Sequence, residues 1–167
     1  MKRIGVLSDT HGIVPQQVYS FFKDCDELWH AGDIGPGVLD ELMRFKPVRA
    51  VFGNMDGGEM RFRLSPTIIL QREGKKILMT HIGGYPGHYN PQILPLLRSE
   101  KPDIFVCGHS HILKVMYDKQ FNMLHINPGA AGREGFHQKG TLVRFTLNPD
   151  PQQLEILDYD KFSNQRP

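Results

Sequence analysis

Over the first fifty residues, short apolar segments alternate with segments of helical character, and this alternation restricts the fold more than any other feature. Arg3–Asp9, Glu27–Gly32 and Val48–Phe52 are each predicted to form a strand. Pro15–Phe22, with proline at a suitable helix start, and Val38–Phe45 are predicted to form the intervening helices. This β-α-β-α-β order favours parallel strand pairing, with helices covering the sheet.

The rest of the chain is predicted to contain too many strands for one doubly wound sheet. The predicted elements are two hairpins (Thr67–Arg72 with Lys76–Thr80, and Ile112–Tyr117 with Phe121–Ile126), the helix Pro91–Arg98, and the strands Asp103–Cys107, Gly140–Leu147 and Gln153–Tyr159. Pro95 is expected to distort its helix, and the tail from Lys161 is expected to fray. We therefore expect one α/β domain over residues 1–167, with two sheets packed face to face and helices outside.

Composition argues against several classes of protein. The formal net charge of the 167 residues is +2, and the basic residues form no run, which disfavours binding to nucleic acid or to a membrane surface. No apolar stretch approaches the ~20 residues of a membrane span. The apolar run after Met1 is too short for a signal peptide, so a cytoplasmic location is expected. Cys25 and Cys107 are expected to be buried thiols in a reducing compartment.

Polar residues suited to metal binding stand where the predicted strands end. There are seven of them, in five segments: Asp9, His11, Asp33, Asn54, His81, His109 and His111. Open α/β sheets place their sites at the carboxyl ends of strands. One ion usually takes three or four protein ligands when it leaves a position open, so seven ligands predict two ions that share a bridging carboxylate.

The spacing of these residues is also informative. In extended backbone, the side chains of residues i and i+2 point the same way. The side chains of Asp9 and His11 can therefore be directed to one point, and so can those of His109 and His111. Gly32, Gly53 and Gly108 precede ligands and allow close backbone approach. A ligand set without cysteine suits manganese first, with iron, zinc, nickel or cobalt as alternatives. Two ions about 3.5–4 Å apart can bind a phosphoryl oxygen and activate a nucleophile.

Five motifs together resemble those of the calcineurin-like metallophosphoesterases, and in particular the small single-domain phosphodiesterase subfamily that is related to a retromer subunit. They are Asp9-Thr10-His11, Gly32-Asp33, Gly53-Asn54-Met55-Asp56, Thr80-His81 and Gly108-His109-Ser110-His111. The resemblance runs from Leu7 to the Asn127–Gly129 turn. It implies a four-layer α/β sandwich of two mixed sheets flanked by helices. It also implies hydrolysis of small phosphoesters, in which a hydroxide bridging two divalent ions attacks phosphorus.

The resemblance distributes the ligands between the two ions. It assigns Asp9, His11 and His111 to the first ion, assigns Asn54, His81 and His109 to the second, and makes Asp33 the bridge. Asp33, Asn54 and His109 are the residues expected to take part in catalysis. His109 and His111, one residue apart in sequence, are therefore expected to serve different ions.

One position departs from the family pattern. Many relatives have histidine after the Gly-Asn pair, where this chain has Met55, and a thioether cannot donate a proton. The enzyme is therefore expected to be slower or to need a good leaving group. Met55 itself is expected to pack beside the site. Asp56, which in relatives would support that histidine, is expected to act in the turn or behind the metal ligands.

Three residues are predicted to contact substrate. Arg133 is expected to clamp a phosphate, since its fork of donors matches phosphate geometry; otherwise it is a solvated charge. Asn127 belongs to an Asn-Pro-Gly turn that resembles a family turn. His88 lies in the glycine- and tyrosine-rich loop Gly83–Tyr89, whose aromatic residues would suit a base or an aryl group. His30 is expected to pack or to support the ligands, and His125 has no predicted role.

The residues leave two other functions open. The first is a protein-interaction scaffold that keeps the fold but does not catalyse a reaction. Met55 and the relationship to a retromer subunit favour this function, and the complete set of ligands disfavours it. The second is a nuclease, which the net charge of +2 disfavours. The predicted partner is a small phosphoester, an assembly of identical subunits stays open, and no membrane partner is expected.

Overall fold

Residues 1–162 are described in the computed structural model of this chain, and they form twelve strands and four helices. The strands are β1 (Lys2–Leu7), β2 (Glu27–His30), β3 (Val48–Ala50), β4 (Thr67–Arg72), β5 (Lys75–Thr80), β6 (Gly84–Tyr85), β7 (His88–Tyr89), β8 (Ile104–Val106), β9 (Leu113–Asp118), β10 (Met123–Pro128), β11 (Lys139–Asn148) and β12 (Asp150–Asp160). The helices are α1 (Gln16–Phe21), α2 (Val38–Phe45), α3 (Gly58–Arg63) and α4 (Leu94–Glu100).

Two five-stranded mixed sheets form the centre of the fold. The first has the order β12-β11-β1-β2-β3, in which β1, β2 and β3 are parallel, as the alternation of the first half predicts. The second has the order β4-β5-β8-β10-β9, in which β5, β8 and β10 are parallel and the outer strands pair antiparallel. In both sheets the parallel strands deliver their carboxyl ends to one edge, where α/β sheets place their sites.

Three apolar clusters account for four layers. Trp29, Phe145 and Ile126 belong to the cluster between the two sheets. The outer face of the first sheet packs on α1 and α2 through residues such as Phe22. The outer face of the second sheet packs on α4 through residues such as Leu97. Burying each such side chain contributes about 1.5–3 kcal/mol, and the predicted sandwich of two mixed sheets flanked by helices is confirmed.

Two elements were not predicted. Helix α3 buries only Met60 among its six residues, so it lacks the repeated apolar spacing that marks a helix in sequence. The hairpin of β6 and β7 lies in the loop predicted over Gly83–Tyr89, and two-residue strands are too short to show alternation. Both elements lie beside the site described below.

The prediction for the helix around Pro95 was wrong in its start and in its distortion. The predicted helix began at Pro91, whereas α4 begins at Leu94, so Pro95 falls in its first turn. The backbone N–H groups of a first turn have no partner inside the helix, and proline is tolerated there. The helix therefore runs to Glu100 without interruption by proline.

The two cysteines and Lys161, near the end of the described chain, are buried. Cys25 and Cys107 are buried and free, as predicted. Fraying was predicted from Lys161, but Lys161 is buried and its Nζ donates to the carbonyl oxygen of Glu134. The remainder of that predicted tail, residues 163–167, lies outside the described residues. Within residues 1–162, none of the helices has the length and apolarity needed to cross a bilayer.

Candidate metal centre

The seven predicted ligands all lie just beyond the carboxyl ends of strands. Asp9 and His11 follow β1, Asp33 follows β2, and Asn54 follows β3, so these four come from the first sheet. The other three come from the second sheet, where His81 follows β5 and both His109 and His111 follow β8. The centre therefore lies where the two sheets meet, and each sheet supplies part of it.

Five of the ligands have left-handed backbone, which non-glycine residues adopt only rarely. Their φ angles are 54° at Asp9, 46° at His11, 52° at Asp33, 70° at His109 and 61° at His111. The extended geometry predicted for the Asp9–His11 and His109–His111 pairs is therefore wrong. Such backbone costs about 1–3 kcal/mol per residue and is concentrated at functional sites.

Six of the ligands form two groups, in each of which the candidate ligand atoms lie within 4.8 Å of one another. The first group is Asp9, His11 and His111, and the second is Asp33, His81 and His109. His109 and His111, one residue apart in sequence, thus fall in different groups.

Asp33 lies within reach of both groups. Its Oδ2 atom is 3.2 Å from His81 Nε2 and 3.8 Å from His11 Nε2. The Oδ1 atom of Asp9 is likewise close to both sides, 3.2 Å from His111 Nε2 and 3.8 Å from His81 Nε2. The two groups are therefore continuous, and a carboxylate oxygen stands between them.

Asn54 extends the second group. Its Oδ1 atom lies 3.0 Å from Nδ1 of His109, although Asn54 follows a strand of the first sheet. An amide oxygen is a suitable ligand for a divalent cation. With Asn54, all seven residues singled out from the sequence are found around one centre.

Each carboxylate has one oxygen held by the protein and one directed to the centre. Oδ2 of Asp9 accepts hydrogen bonds from Ser8 Oγ at 2.7 Å and from the backbone N–H of His109 at 3.1 Å. Oδ1 of Asp33 accepts one from the backbone N–H of Met55 at 2.8 Å. These bonds fix the orientation of each carboxylate, as supporting groups do at metal sites.

Three buried atoms in the centre have no hydrogen-bond partner among residues 1–162. They are Oδ1 of Asp9, Nε2 of His11 and Nε2 of His81. Buried polar atoms are nearly always paired in folded proteins, because an unpaired one costs about 1–3 kcal/mol. Oxygen and imidazole nitrogen atoms that converge without partners are the donor set that a divalent cation takes, so the residues present fit metal ions.

The carboxyl groups are held in their charged form. Burial by itself would raise the pKa of Asp9, but the imidazoles of His11 and His111 keep that pKa well below its usual range. Burial opposes ionisation at Asp33 also, and contact with His81 lowers its pKa below the ordinary value. Metal ligands must be deprotonated, and these two residues meet that condition at neutral pH.

The imidazoles show the counterpart of this effect. Asp9 raises the pKa of His11, and Asp33 raises that of His81 although burial acts in the opposite direction. Burial, followed by the nearby His81, lowers the pKa of His109. The carboxylates thus attract positive charge, and a divalent cation would displace the protons from His11 and His81.

Glycines allow the loops to come this close. A Cβ atom on Gly53 would lie 2.1 Å from Oδ1 of Asp33, and one on Gly108 would lie 2.1 Å from Oγ of Ser8. Gly32 has a φ of +100°, and a Cβ there would meet the ring of His81 at 2.7 Å. The predicted role of these three glycines in close backbone approach is confirmed.

Asp56 connects the loops that carry Asp33 and Asn54. Its carboxylate accepts hydrogen bonds from the backbone N–H groups of Ile34 at 2.9 Å, Gly35 at 3.0 Å and Gly53 at 2.8 Å. Asp56 therefore acts both in the turn and behind the ligands, two roles that were predicted for it as alternatives. Met55, in contrast, was predicted to pack beside the site, and that is wrong, because its side chain is 70% exposed.

His30 holds the loops that carry the ligands, and support of the ligands was one of the two roles predicted for it. Its Nδ1 accepts a hydrogen bond from the backbone N–H of Gly32, and its Nε2 lies 2.9 Å from Oγ1 of Thr10. Burial lowers its pKa to about 4, so the ring is neutral.

The supporting roles of Ser8 and Thr10 were not predicted. Nothing about either residue in the sequence marks it as a supporting group.

The predicted substrate residues are divided between two places. His88 and Asn127 line a cavity that His109 also borders. The Nδ2 atom of Asn127 donates to the carbonyl oxygen of Gly108 at 3.0 Å, which positions the turn that carries the histidines. Arg133 is exposed and lines a separate, smaller cavity beside α1.

The sequence is similar to those of known proteins. The family model described as calcineurin-like phosphoesterase superfamily domain matches residues 1–150. A protein of Methanothermobacter thermautotrophicus described as a probable metallophosphoesterase is 30% identical over 135 residues, which cover 76% of each chain.

Solved structures share the fold over almost the whole chain. One described as a novel archaeal phosphodiesterase has a TM-score of 0.76 and 21% identity, and the match covers 94% of this chain and 99% of that one. Vps29 from Entamoeba histolytica, in complex with Zn²⁺, has a TM-score of 0.72 and 20% identity, with 98% and 94% covered.

Proposed function

Because the chain belongs to the calcineurin-like phosphoesterase superfamily, we propose that it is a phosphodiesterase that hydrolyses small phosphoesters with two divalent metal ions. The observation that carries this proposal is the position of Asp33. Its Oδ2 atom lies within 3.8 Å of an imidazole nitrogen from each group, at His11 and at His81. A carboxylate within reach of both groups is suited to contact two neighbouring ions.

The proposed ligands follow from the two groups. Asp9, His11 and His111 would hold the first ion, His81, His109 and Asn54 would hold the second, and Asp33 would contact both. When bound, two such ions supply Lewis acidity towards a phosphoryl oxygen and make a water molecule more acidic.

The protein's own residues prepare the centre for this chemistry. Ser8 and the backbone of His109 orient the Asp9 carboxylate, and the backbone of Met55 orients that of Asp33. The Met55 side chain cannot donate a proton to a leaving group. We therefore propose that the enzyme prefers esters whose leaving group departs without protonation, such as aryl diesters.

Two of the predicted substrate contacts gain support and one does not. His88 and Asn127 line the cavity that His109 borders, which supports contact with the organic part of a substrate. Arg133 lies in another cavity, so nothing in the geometry favours it as the phosphate clamp.

Manganese is the metal that we propose first. The donors are carboxylate, amide and imidazole groups with no thiolate, a set that suits manganese and also accepts iron, zinc, nickel or cobalt. The cytoplasm remains the proposed location, since the buried free thiols of Cys25 and Cys107 are typical of a reducing compartment.

The test is hydrolysis of bis(p-nitrophenyl) phosphate by protein stripped of metal and reloaded with Mn²⁺. Asp33→Asn is expected to abolish hydrolysis, because the amide removes the negative charge at the shared position. Asp40→Asn, at an exposed carboxylate on α2, is the matched control and is expected to keep full activity. Full activity in a folded Asp33→Asn protein would contradict the proposal.

A non-catalytic interaction scaffold is the alternative function. The fold similarity to Vps29 motivates it, as do the exposed side chains of Met55 and Phe62, the latter 92% exposed. The full set of ligands opposes it. Absence of turnover over a panel of phosphoesters and metals, together with a stable protein partner recovered by pull-down, would favour the scaffold.

A further inference from the structure

A cavity of about 670 Å³ lies next to the candidate metal centre, between the outer face of the second sheet and the loop after His81. His109, one of the candidate ligands, lines it together with Asn127. Pockets for small molecules have volumes of about 300–1,000 Å³. An organic group attached to a phosphorus atom at the metal centre could therefore extend into this cavity.

One wall is the hairpin of β6 and β7. The rings of Tyr85 and His88 lie on it with their centroids 5.0 Å apart, and Tyr85 is 45% exposed. The glycines at its base, Gly83 and Gly84, pack closely. A Cβ on Gly83 would lie 2.7 Å from Cβ of Cys107, and the carbonyl oxygen of Gly83 accepts a hydrogen bond from Asn90 at 2.9 Å. These contacts hold the hairpin, and with it the aromatic wall, in position.

A second wall, next to the hairpin, contains His125, which the mechanism proposed above does not use. It is completely buried, and neither of its ring nitrogens has a hydrogen-bond partner among residues 1–162. It borders the cavity and packs against the rings of Tyr89 and Phe105, each with a centroid distance of 5.8 Å. Two unpaired nitrogens in an apolar wall are costly unless a bound group pairs with them.

The charge around His125 defines the form of the ring. Burial, together with the ammonium of Lys114, lowers its pKa to about 4, so the imidazole is neutral and has one donor and one acceptor nitrogen. Lys114 also borders the cavity, with its Nζ 4.8 Å from the centroid of Tyr85. A cation at this position favours an anionic ligand.

We propose that this cavity binds a planar aromatic group esterified to the phosphorus of the substrate. The rings of Tyr85 and His88 would stack on it. His125, whose ring nitrogens are covered in this structure, would pair with a ring nitrogen or hydroxyl at its inner edge after a small shift of the wall. An alkyl group would lack the planar face for this stacking, and an alkyl or plain phenyl group would leave both nitrogens of His125 unpaired. The proposal rests on the proposed phosphodiesterase function, since it assigns the substrate class of that same site.

Binding of three phosphonates to the Mn²⁺-loaded protein, measured by isothermal titration calorimetry, tests the proposal. The phosphonate group occupies the metal centre in all three, so only the organic group differs. Phenylphosphonate is expected to bind about tenfold more tightly than methylphosphonate, because stacking on an aromatic side chain is worth about 1–3 kcal/mol. 3-Pyridylphosphonate is expected to gain a further factor of about five from its ring nitrogen.

Two variants separate the contributions of the walls. Tyr85→Ala is expected to reduce the preference for phenyl over methyl to about twofold or less, and Tyr117→Ala, at a tyrosine 53% exposed and outside the cavity, is its matched control. His125→Phe is expected to remove the gain of pyridyl over phenyl while the preference for phenyl remains. Because Tyr85 is at the surface, its variant tests the aromatic wall even if the buried His125 variant does not fold.

The possible outcomes are distinct. Equal affinity for methyl- and phenylphosphonate would overturn the aromatic cavity and leave the phosphodiesterase proposal standing, provided that the protein hydrolyses bis(p-nitrophenyl) phosphate. A preference for phenyl that survives Tyr85→Ala would also overturn it. Absence of both phosphonate binding and hydrolysis would reject the proposed function itself.

Discussion

Nδ1 of His81 lies 2.7 Å from the carbonyl oxygen of Ala31, and this contact joins the two sheets. Ala31 directly follows β2 in the first sheet, and His81 directly follows β5 in the second. Because Nδ1–H donates to that carbonyl, Nε2 is left to face the centre, 3.2 Å from Oδ2 of Asp33. The candidate metal centre thus depends on how the two sheets are positioned against each other.

Removing His111 or His109 should remove different ions. His111 lies 3.2 Å from Asp9 in the first group, whereas His109 belongs to the second group with Asp33 and His81. Each single alanine variant is therefore expected to lower the metal content from two ions to one, measured by mass spectrometry after gel filtration. The double variant should bind no ion tightly. Loss of both ions in each single variant would instead mean that one interdependent site exists.

Gly53→Ala should disturb the site and the stability together. The added Cβ would lie 2.1 Å from Oδ1 and 2.4 Å from the backbone nitrogen of Asp33. Overpacking of this kind costs about 1–3 kcal/mol, and the displaced carboxylate should weaken metal binding. Urea unfolding and metal titration measure the two effects. Gly57→Ala is the control, because a Cβ there meets no atom within 4 Å, and it should leave both quantities unchanged.

Asp56→Asn should destabilise the fold although Asp56 is not a candidate ligand. Its buried carboxylate accepts three backbone N–H groups from two loops. An amide offers one acceptor oxygen and turns its NH₂ group towards a donor, so we expect a loss of about 2–4 kcal/mol in the free energy of unfolding. Asp24→Asn, at an exposed carboxylate, serves as the control. Ordinary surface substitutions change the free energy of unfolding by about ±0.5 kcal/mol. A loss within that range for Asp56→Asn would show that Asp56 does not hold the two loops together.

Met55→His should increase activity towards poor leaving groups. The backbone of Met55 donates to Asp33 at 2.8 Å, and its side chain is 70% exposed, so a histidine there has room to adopt a useful rotamer. General acid catalysis increases reaction rates about 10²–10⁴-fold. For Met55→His we expect an increase in the turnover of an alkyl diester towards the lower end of this range. Turnover of an aryl diester should change little. Met55→Gln, without a group that titrates near neutral pH, should show no such gain.

The buried His125 should make the protein sensitive to acid. Its folded-state pKa is lowered to about 4 from 6.5, chiefly by burial, so between these pH values the unfolded chain binds the extra proton. The free energy of unfolding therefore falls as the pH falls through this window. His125→Phe removes this contribution. The loss of stability from pH 7 to pH 5 in urea unfolding should be about 2 kcal/mol smaller in the variant than in the wild type.

Other titrating groups do not obscure that comparison. The carboxyls of Asp9 and Asp33 also have lowered pKa values, but they are present in both proteins and cancel in the difference. An identical pH dependence for the wild type and the variant would show that His125 is not held neutral by the fold.

Most strands and all seven candidate ligands could be predicted from the sequence, because each is marked by the residues immediately around it. Buried parallel strands are apolar runs that stop where the chain meets polar solvent or a site, so Asp9, Asp33 and Asn54 mark the ends of their strands. Helix α2 was predicted with its observed limits, Val38–Phe45, because apolar residues recur along one face of it.

Helix α3 and a role for His125 were not predicted, the first because it has no signal in the sequence and the second although it has one. Helix α3 is too short and too exposed to show a pattern. His125 did carry a signal, since it precedes Asn127 by two residues in β10 and the two must share a face of the sheet. Asn127 was singled out, and the alternation of the strand would have added His125.

The amino-acid sequence by itself determined the family, most of the strands in their order along the chain and the candidate metal ligands, because these depend on residue type and on spacing along the chain. Tertiary structure alone decided the left-handed backbone at Asp9 and His109, the clamp formed by Asp56, and the exposure of Met55. It also decided that His125 faces a cavity beside the site. These features arise from contacts between loops of two different sheets, whose positions no short stretch of sequence encodes.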